Sequence, residues 1–196
     1  MTLVELLLAI TLFSVLLASI GGLVHSAMTV QVGWHQTVVP VQRMERSLLR
    51  LEMDLESAVP LFGVPFLGET SRIELAHLEA AGSAGHPEWW RIRYAIVADG
   101  PRLSLVRESS IWREGVDGAS QRREVLMELT EGSFAFGMTD EDGALVWVDA
   151  WDGVQHGIPR LAHLTCILPA VGSQAPIALS RVFRNPTGNL PQVETP

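Results

Sequence analysis

The chain contains one cysteine, Cys166, and no lysine among its 14 basic residues. A lone cysteine excludes an intrachain disulfide and a zinc site built from several thiolates. Because Cys166 lies in the apolar run Leu-Thr-Cys-Ile-Leu, we expect it to be buried. The formal net charge of −8 argues against nucleic acid and anionic lipid surfaces as ligands.

The beginning of the chain also lacks charge, since Glu5 is the only charged residue before Arg43. Residues 6–24 are apolar apart from three hydroxyl residues and two glycines. About 20 such residues in a helix span the roughly 30 Å hydrocarbon core of a bilayer. We therefore predict a transmembrane helix at residues 1–24. The carboxylate of Glu5, at the start of this helix, implies a specific partner. The ammonium group of a chain N-terminus is the candidate partner.

The helix is predicted to continue beyond the span, through residues 25–60. Pro40 lacks a backbone donor and is expected to kink or interrupt it. From 41 to 59, apolar residues recur at spacings of three and four, which predicts one buried helix face. We expect Leu48, Leu51 and Leu55 to pack from this face onto the domain's own sheet.

A second apolar surface is predicted upstream of this face, around Val30, Trp34 and Val38. It carries more apolar residues than a lone helix comfortably exposes to water. We therefore predict that this stretch packs against the helices of neighbouring subunits.

After residue 65 the spacing between apolar residues changes from the period of a helix to the two-residue period of a β-strand. Alternating or short apolar runs lie at 72–78, 89–97, 102–112, 124–126, 134–136, 145–151, 161–168 and 177–183, with turn residues between them. This predicts an antiparallel meander of seven or eight strands within residues 61–185, with the helix laid across it, and thus an α+β fold. The polar, proline-rich tail at 186–196 is predicted to be disordered.

The first five residues, Met1-Thr2-Leu3-Val4-Glu5, precede the apolar run. This arrangement resembles the mature N-terminus of type IV pilins and pseudopilins, with Met1 replacing the usual phenylalanine. The resemblance implies removal of a short leader by the prepilin peptidase, N-methylation of Met1 and a role for Glu5 in filament assembly. The alternative is an uncleaved signal anchor, which normally carries basic residues ahead of its apolar region.

Three later stretches narrow the resemblance: RMERSLLRLEMDLESAVP at 43–60, residues 124–151, and GIPRLAHLTCIL at 157–168 followed by IALSRVF at 177–183. They are similar to the J-type minor pseudopilins of bacterial type II secretion systems. The resemblance implies a pseudopilin-type periplasmic ectodomain on an inner-membrane anchor, near the tip of the pseudopilus. It implies I-type and K-type minor pseudopilins and the major pseudopilin as partners.

Two other kinds of protein stay open as alternatives. A minor type IV pilin or competence pseudopilin shares the N-terminal pattern but serves a different machine. A membrane-anchored periplasmic binding module or enzyme is a more distant alternative, and a deep pocket with converging polar groups would favour it.

No catalytic constellation stands out, because the six histidines are scattered and no phosphate loop or nucleophile motif is present. Asp140, Glu141 and Asp142 precede Gly143 and could ligate Ca²⁺ through their oxygen atoms. Three carboxylates at a hairpin tip more often form a solvated turn. We therefore predict a structural protein without a metal, a cofactor or catalytic activity.

Overall fold

The computed structural model describes residues 3–61, 63–79, 87–100, 102–113, 121–140, 142–170 and 175–189; for residues 4, 5, 9, 27 and 29–40 it describes the backbone alone. The chain divides into two units, Met1–Gln42 and Arg43–Pro196. A single helix, α1 (Leu3–Glu56), contributes residues to both.

Helix α1 is assigned without a break through Pro40, so the helix is not interrupted there, and the alternative that Pro40 kinks it stays a prediction. A proline withdraws one backbone donor, and a helix of 54 residues keeps the hydrogen bonds on either side of it. The helix ends at Glu56. Immediately afterwards Ala58 bridges to His77, and the Val59 amide donates to the carbonyl of Ala76 at 3.0 Å.

Ten strands and one short helix follow among the described residues. They are β1 (Leu67–Glu69), β2 (Arg72–Glu79), β3 (Glu88–Asp99), β4 (Arg102–Ile111), β5 (Arg122–Leu129), β6 (Glu131–Thr139), β7 (Leu145–Val148), β8 (Trp151–Asp152), α2 (Gly153–His156), β9 (Leu161–Leu168) and β10 (Ile177–Arg184). All paired strands are antiparallel, so the predicted α+β class with an antiparallel β-rich domain is confirmed.

The strands form two sheets rather than one meander. The six-stranded sheet has the order β5-β4-β3-β2-β1-β8, and the four-stranded sheet has the order β10-β9-β6-β7. The predicted strand at 145–151 breaks in two, because β7 pairs with β6 whereas β8 pairs with β1. One alternating run thus supplies strands to both sheets.

The core of the second unit combines the end of α1 with the inner faces of both sheets. Leu48, Leu51 and Leu55 are buried in one cluster with Ile73, Leu75, Ile92, Tyr94, Leu105, Leu129, Phe134, Phe136, Leu164 and Phe183. Cys166 is buried in the same cluster, as its apolar neighbours predicted. The helix end is therefore an integral part of the domain's interior.

Asn185, directly after β10, ties the end of α1 to the sheets. Its side-chain amide donates to the carbonyl of Leu55 at 2.7 Å, and its backbone N–H donates to the carbonyl of Arg160 at 2.8 Å. The carbonyl of Leu55 also accepts from the Ala58 amide at 3.3 Å, so the bond from Asn185 is the second one to this carbonyl at the helix end. Asn189 continues the attachment by bridging to Pro159, and residues 190–196 of the predicted tail lie outside the described residues.

Candidate functional site

The most distinctive surface of the first unit is an exposed apolar helix segment. Leu6–Ser26 has a mean hydropathy of 2.4, and none of its described side chains is buried. Its exposed side chains include Leu6, Leu7, Leu8, Ile10, Leu12, Phe13, Val15, Leu16, Leu17, Ile20, Leu23 and Val24. By length and composition this segment can cross a membrane as a single-pass anchor.

Three hydroxyl groups of the segment, those of Thr11, Ser14 and Ser19, are satisfied by the helix itself. Thr11 donates to the carbonyl of Leu8 at 2.9 Å, Ser14 to that of Ile10 at 2.8 Å, and Ser19 to that of Val15 at 2.9 Å. An unsatisfied polar group in hydrocarbon costs several kcal/mol, about 4–8 on a water-to-cyclohexane scale. These internal bonds therefore make the three hydroxyls compatible with a lipid environment.

The other residues predicted to act in assembly are only partly covered by the structure. Met1 lies outside the described residues. Glu5, Val30, Trp34 and Val38 lie within α1, but their side chains are outside the description. Their roles therefore stay predictions.

A buried polar cluster fixes the end of α1 in the β-rich domain. Asp54 Oδ2 accepts a hydrogen bond from the Tyr94 hydroxyl at 2.6 Å and another from Arg107 Nε at 2.7 Å. The exposed fractions of Asp54, Tyr94 and Arg107 are 4%, 0% and 6%. Each of the three groups thus finds its partner inside the protein, where an unpaired charge would be strongly unfavourable.

This cluster favours one protonation state. Burial, reinforced by the charge of Asp54, raises the pKa of Tyr94 far above its usual range. Burial by itself lowers the pKa of Arg107, but the hydrogen bond and negative charge of Asp54 outweigh it, so the net direction is upward. Tyr94 therefore stays a neutral donor and Arg107 a cation, as the shared acceptor Asp54 requires.

We expect the folded domain to lose stability in alkaline solution. Burial raises the pKa of Cys166 from 9.0 to about 11, and that of Tyr94 rises from 10.0. The stabilising contribution of a raised pKa is complete below the ordinary value and is lost as the pH rises towards the folded value, at up to about 1.4 kcal/mol per pH unit and group. Melting temperatures measured from pH 8 to about pH 12 test this.

Two variants assign the loss to its groups. Cys166→Ala should make the decrease in melting temperature between pH 9 and 11 smaller, and Tyr94→Phe should make the decrease above pH 10 smaller. Equal slopes in both variants and the parent would contradict the assignment.

Two further contacts attach the same helix end to both sheets. Glu52 Oε2 accepts a hydrogen bond from Arg181 Nη2 on β10 at 2.7 Å. The hydroxyl of Ser47 shares its proton between the carbonyl of Leu126 on β5, at 2.9 Å, and the carbonyl of Arg43 within the helix, at 2.8 Å. Leu126 is the extra residue at a bulge, where the pairing of β4 and β5 shifts between Leu105 and Val106. The residue without an opposite partner on β4 is thus the one whose carbonyl contacts the helix.

The outer face of the six-stranded sheet carries a row of alternating charge. In register across β2 to β5 lie Glu74, Arg93, Glu108 and Arg123. Arg93 contacts Glu74 at 3.3 Å and Glu108 at 3.4 Å, while Arg91 approaches Glu74 at 2.6 Å. Opposite charges placed directly across strands stabilise the pairing of those strands.

Beside this row is a recess of about 150 Å³, lined by Arg91, Arg93, Glu108, Ser109, Ser110 and Gln121. It is smaller than the roughly 300–1,000 Å³ of a typical small-molecule pocket. Both of its arginines are already paired with carboxylates of the charge row.

The acidic turn between β6 and β7 is held by its own backbone. Asp140 Oδ1 accepts from the amides of Asp142 at 3.1 Å and Ala144 at 2.7 Å, and Gly143 turns the chain with φ of 80°. Glu141 lies outside the described residues. Across the part of the chain that the structure describes, no group of three or more His, Cys, Asp or Glu side chains is placed to hold a metal ion.

Sequence reasoning found the buried leucines Leu48, Leu51 and Leu55. It did not identify Asp54 as a buried residue, because a charged residue in an amphipathic helix is ordinarily assigned to the solvent face. The sequence of β4 did indicate a buried arginine, because strand alternation puts Arg107 on the same face as Leu105. An arginine on an apolar strand face requires a buried carboxylate.

Comparison of the chain with models of known protein families gives no match. Comparison with curated protein sequences likewise gives no significant match.

Proposed function

We propose that this protein is a minor pseudopilin, a structural subunit at or near the tip of the periplasmic filament of a type II secretion system. Its N-terminal helix anchors it in the bacterial inner membrane, and its β-rich domain lies in the periplasm. It acts by assembling with I-type and K-type minor pseudopilins and with the major pseudopilin. It does not turn over a substrate.

One observation carries the proposal. A single helix, α1, contains both the exposed apolar run Leu6–Ser26 and a C-terminal stretch whose leucines are buried in an antiparallel β-rich domain. An ordinary membrane anchor ends at the membrane and needs no such continuity. A pseudopilin requires it, because the helix has to join the membrane segment to the globular domain.

Glu5 is the proposed assembly group. In a stack of parallel helices its carboxylate meets the N-terminal ammonium of an adjacent subunit. Both charges lie where water is scarce, so each depends on the other for compensation. The N-terminal pattern Met1 to Glu5 and the acidic residue at the mouth of the span support this assignment.

We expect Glu5→Ala to insert into the membrane normally, because the apolar run is intact, but to enter the filament poorly. The lost pair leaves an ammonium uncompensated, which should reduce incorporation roughly tenfold or more. The measurement is complementation of a deletion strain, scored by secreted cargo and by co-purification with the other pseudopilins.

Ser14→Ala is the matched control for Glu5→Ala. It also removes a polar group from the helix, but that group bonds only to the carbonyl of Ile10 within the helix. The control should restore secretion fully. If Glu5→Ala restores it as well, the proposed role of Glu5 is wrong.

The same complementation separates the alternatives. Recovery of secretion, with no effect on pilus extension or DNA uptake, favours the secretion machine over a type IV pilus or competence system.

A further inference from the structure

The last strand, β10, has one edge that the described part of the chain leaves unpaired. It is the end strand of the four-stranded sheet, and it pairs with β9 alone, continuously from Ile177 to Arg184 and without a shift of register. Within the described residues, no further hydrogen bond between backbone groups reaches β10. Every second residue of an edge strand turns its N–H and C=O groups away from the neighbouring strand, so about four residues of β10 present both groups outwards.

The other three ends of the two described sheets are protected. The strands β8 and β7 have only two and four residues. The strand β5 is as long as β10, but half of its residues are charged, it carries a bulge, and Ser47 bonds to its Leu126 carbonyl. Short strands, charges and bulges are the usual means by which an edge avoids pairing with another chain. In contrast, β10 has eight residues, no bulge and two arginines, one of which, Arg181, is already paired with Glu52.

The end of α1 lies beside this open edge. At about 100° per residue, the order around the helix is Asp54, Ser47, Leu51, Leu55, Leu48, Glu52, Leu49 and Met53. The first two bond to the six-stranded sheet, the three leucines that follow are buried, and Glu52 bonds to Arg181 on β10. Leu49 and Met53 come next, past the last strand, and are 53% and 60% exposed. The backbone of β10 and these two side chains thus border the space that a fifth strand would occupy.

The flank of α1 nearest to β10 is acidic. Glu45, Glu52 and Glu56 follow one another along it, within about 40° of the same line. Glu52 is paired with Arg181, whereas Glu45 and Glu56 are exposed. A strand beside β10 would therefore meet apolar side chains and carboxylates on its helix side, which favours apolar and basic residues at alternate positions of that strand.

We propose that the free edge of β10 binds an extended segment of a neighbouring, different subunit, which adds a fifth strand to the four-stranded sheet. The backbone hydrogen bonds supply the affinity, and the contacts with Leu49, Met53 and the acidic flank supply the specificity. The proposal rests on the assembly into a membrane-anchored filament that the proposed function describes, but it depends neither on Glu5 nor on the secretion machine.

Two other occupants suit the edge less well. Residues 190–196 of this chain contain two prolines in seven residues, and proline cannot donate to a strand ladder. A second copy that paired its own β10 antiparallel to this one would be related by a twofold axis perpendicular to the sheet. That axis would set the two ends of α1 antiparallel, whereas the helices of copies anchored by their N-terminal segments in one membrane run parallel.

Hydrogen exchange of the full-length chain tests the edge. The amides of residues 177–184 should exchange roughly tenfold more slowly in native membranes than in the detergent-solubilised monomer, because an added strand bonds to the outward ones. The matched control is β4, which already has a strand on each side and should exchange alike in both samples. Equal exchange of residues 177–184 in the two samples would overturn the proposal.

Two proline variants separate the sides of the strand. Leu179→Pro and Ser180→Pro remove neighbouring amides, which point in opposite directions, so one variant loses a bond to β9 and the other loses only an outward amide. The melting temperature identifies the second as the less destabilised variant. That variant should lose the slow exchange in membranes, and retention of the slow exchange would contradict an added strand.

Photo-cross-linking identifies the occupant. The photoreactive residue p-benzoylphenylalanine, placed at Met53 in native membranes, should link the chain to an alternating apolar and polar segment of a different protein. The less destabilised proline variant should lower that yield roughly tenfold. The same residue at Val154, which is 75% exposed on α2, is the control and should give no product that responds to the proline.

The mass of the cross-linked product separates the occupants. A product of twice the chain mass, an internal link to residues 190–196, or a yield that ignores the proline would overturn the proposal. Secretion by Glu5→Ala would instead overturn the role proposed for Glu5 and leave the exchange and cross-linking results unchanged.

Discussion

Asp54→Ala is expected to lower the free energy of unfolding by about 3–5 kcal/mol, the usual cost of removing one partner from a buried ion pair. The variant leaves the Arg107 guanidinium buried without its carboxylate and deprives the Tyr94 hydroxyl of its acceptor, which now lies 2.6 Å away. Denaturant unfolding of the full chain in detergent, followed by tryptophan fluorescence, measures the change.

Arg50→Ala is the control for Asp54→Ala. Arg50 contacts the other oxygen of Asp54, but at 3.7 Å and with a side chain that is half exposed. Exposed pairs of this kind contribute about 0.2–1 kcal/mol. If the two variants are destabilised equally, the buried cluster does not hold the helix end as described.

The parts of the fold that the sequence predicted depend on local periodicity. Leu48, Leu51 and Leu55 recur at spacings of three and four, and that spacing alone assigns them to one buried face. The apolar span is equally local, because length and the lack of charge define it. Strand alternation located β2, β3, β4, β9 and β10 for the same reason.

The buried cluster could not be read in the same way, because its members are distant in sequence. Arg107 is 53 residues from Asp54, and Tyr94 is 40. Helical spacing puts Asp54 at the border of the apolar face, where either a buried or an exposed position fits the pattern. Only the sheet register, which sets Tyr94 opposite Arg107, brings the two donors to one acceptor.

The sequence pattern also did not predict the division of the strands into two sheets. Residues 145–151 alternate continuously, yet Asp149 and Ala150 separate β7 from β8. Alternation reports which face a residue occupies but not which strand lies beside it. β6 pairs with β7 across a short turn, but its pairing with β9 and the pairing of β8 with β1 join strands that are distant in sequence.

The second large effect is expected from Leu51→Ala, which should lower the free energy of unfolding by about 2–5 kcal/mol, since it leaves a cavity in a fully buried site. Leu51 is inaccessible to solvent and lies in the cluster shared by α1 and both sheets.

Leu49→Ala is a closely matched control: the same substitution is made two residues away, on the exposed side of the same helix. In detergent-solubilised full-length chain, at a concentration low enough to keep it monomeric, the control should change the free energy of unfolding by no more than about 0.5 kcal/mol. Equal losses in the two variants would show that the helix end is not packed as the burial of Leu51 indicates. A large loss for Leu51→Ala alone would show that this helix end stabilises the β-rich domain through its buried face.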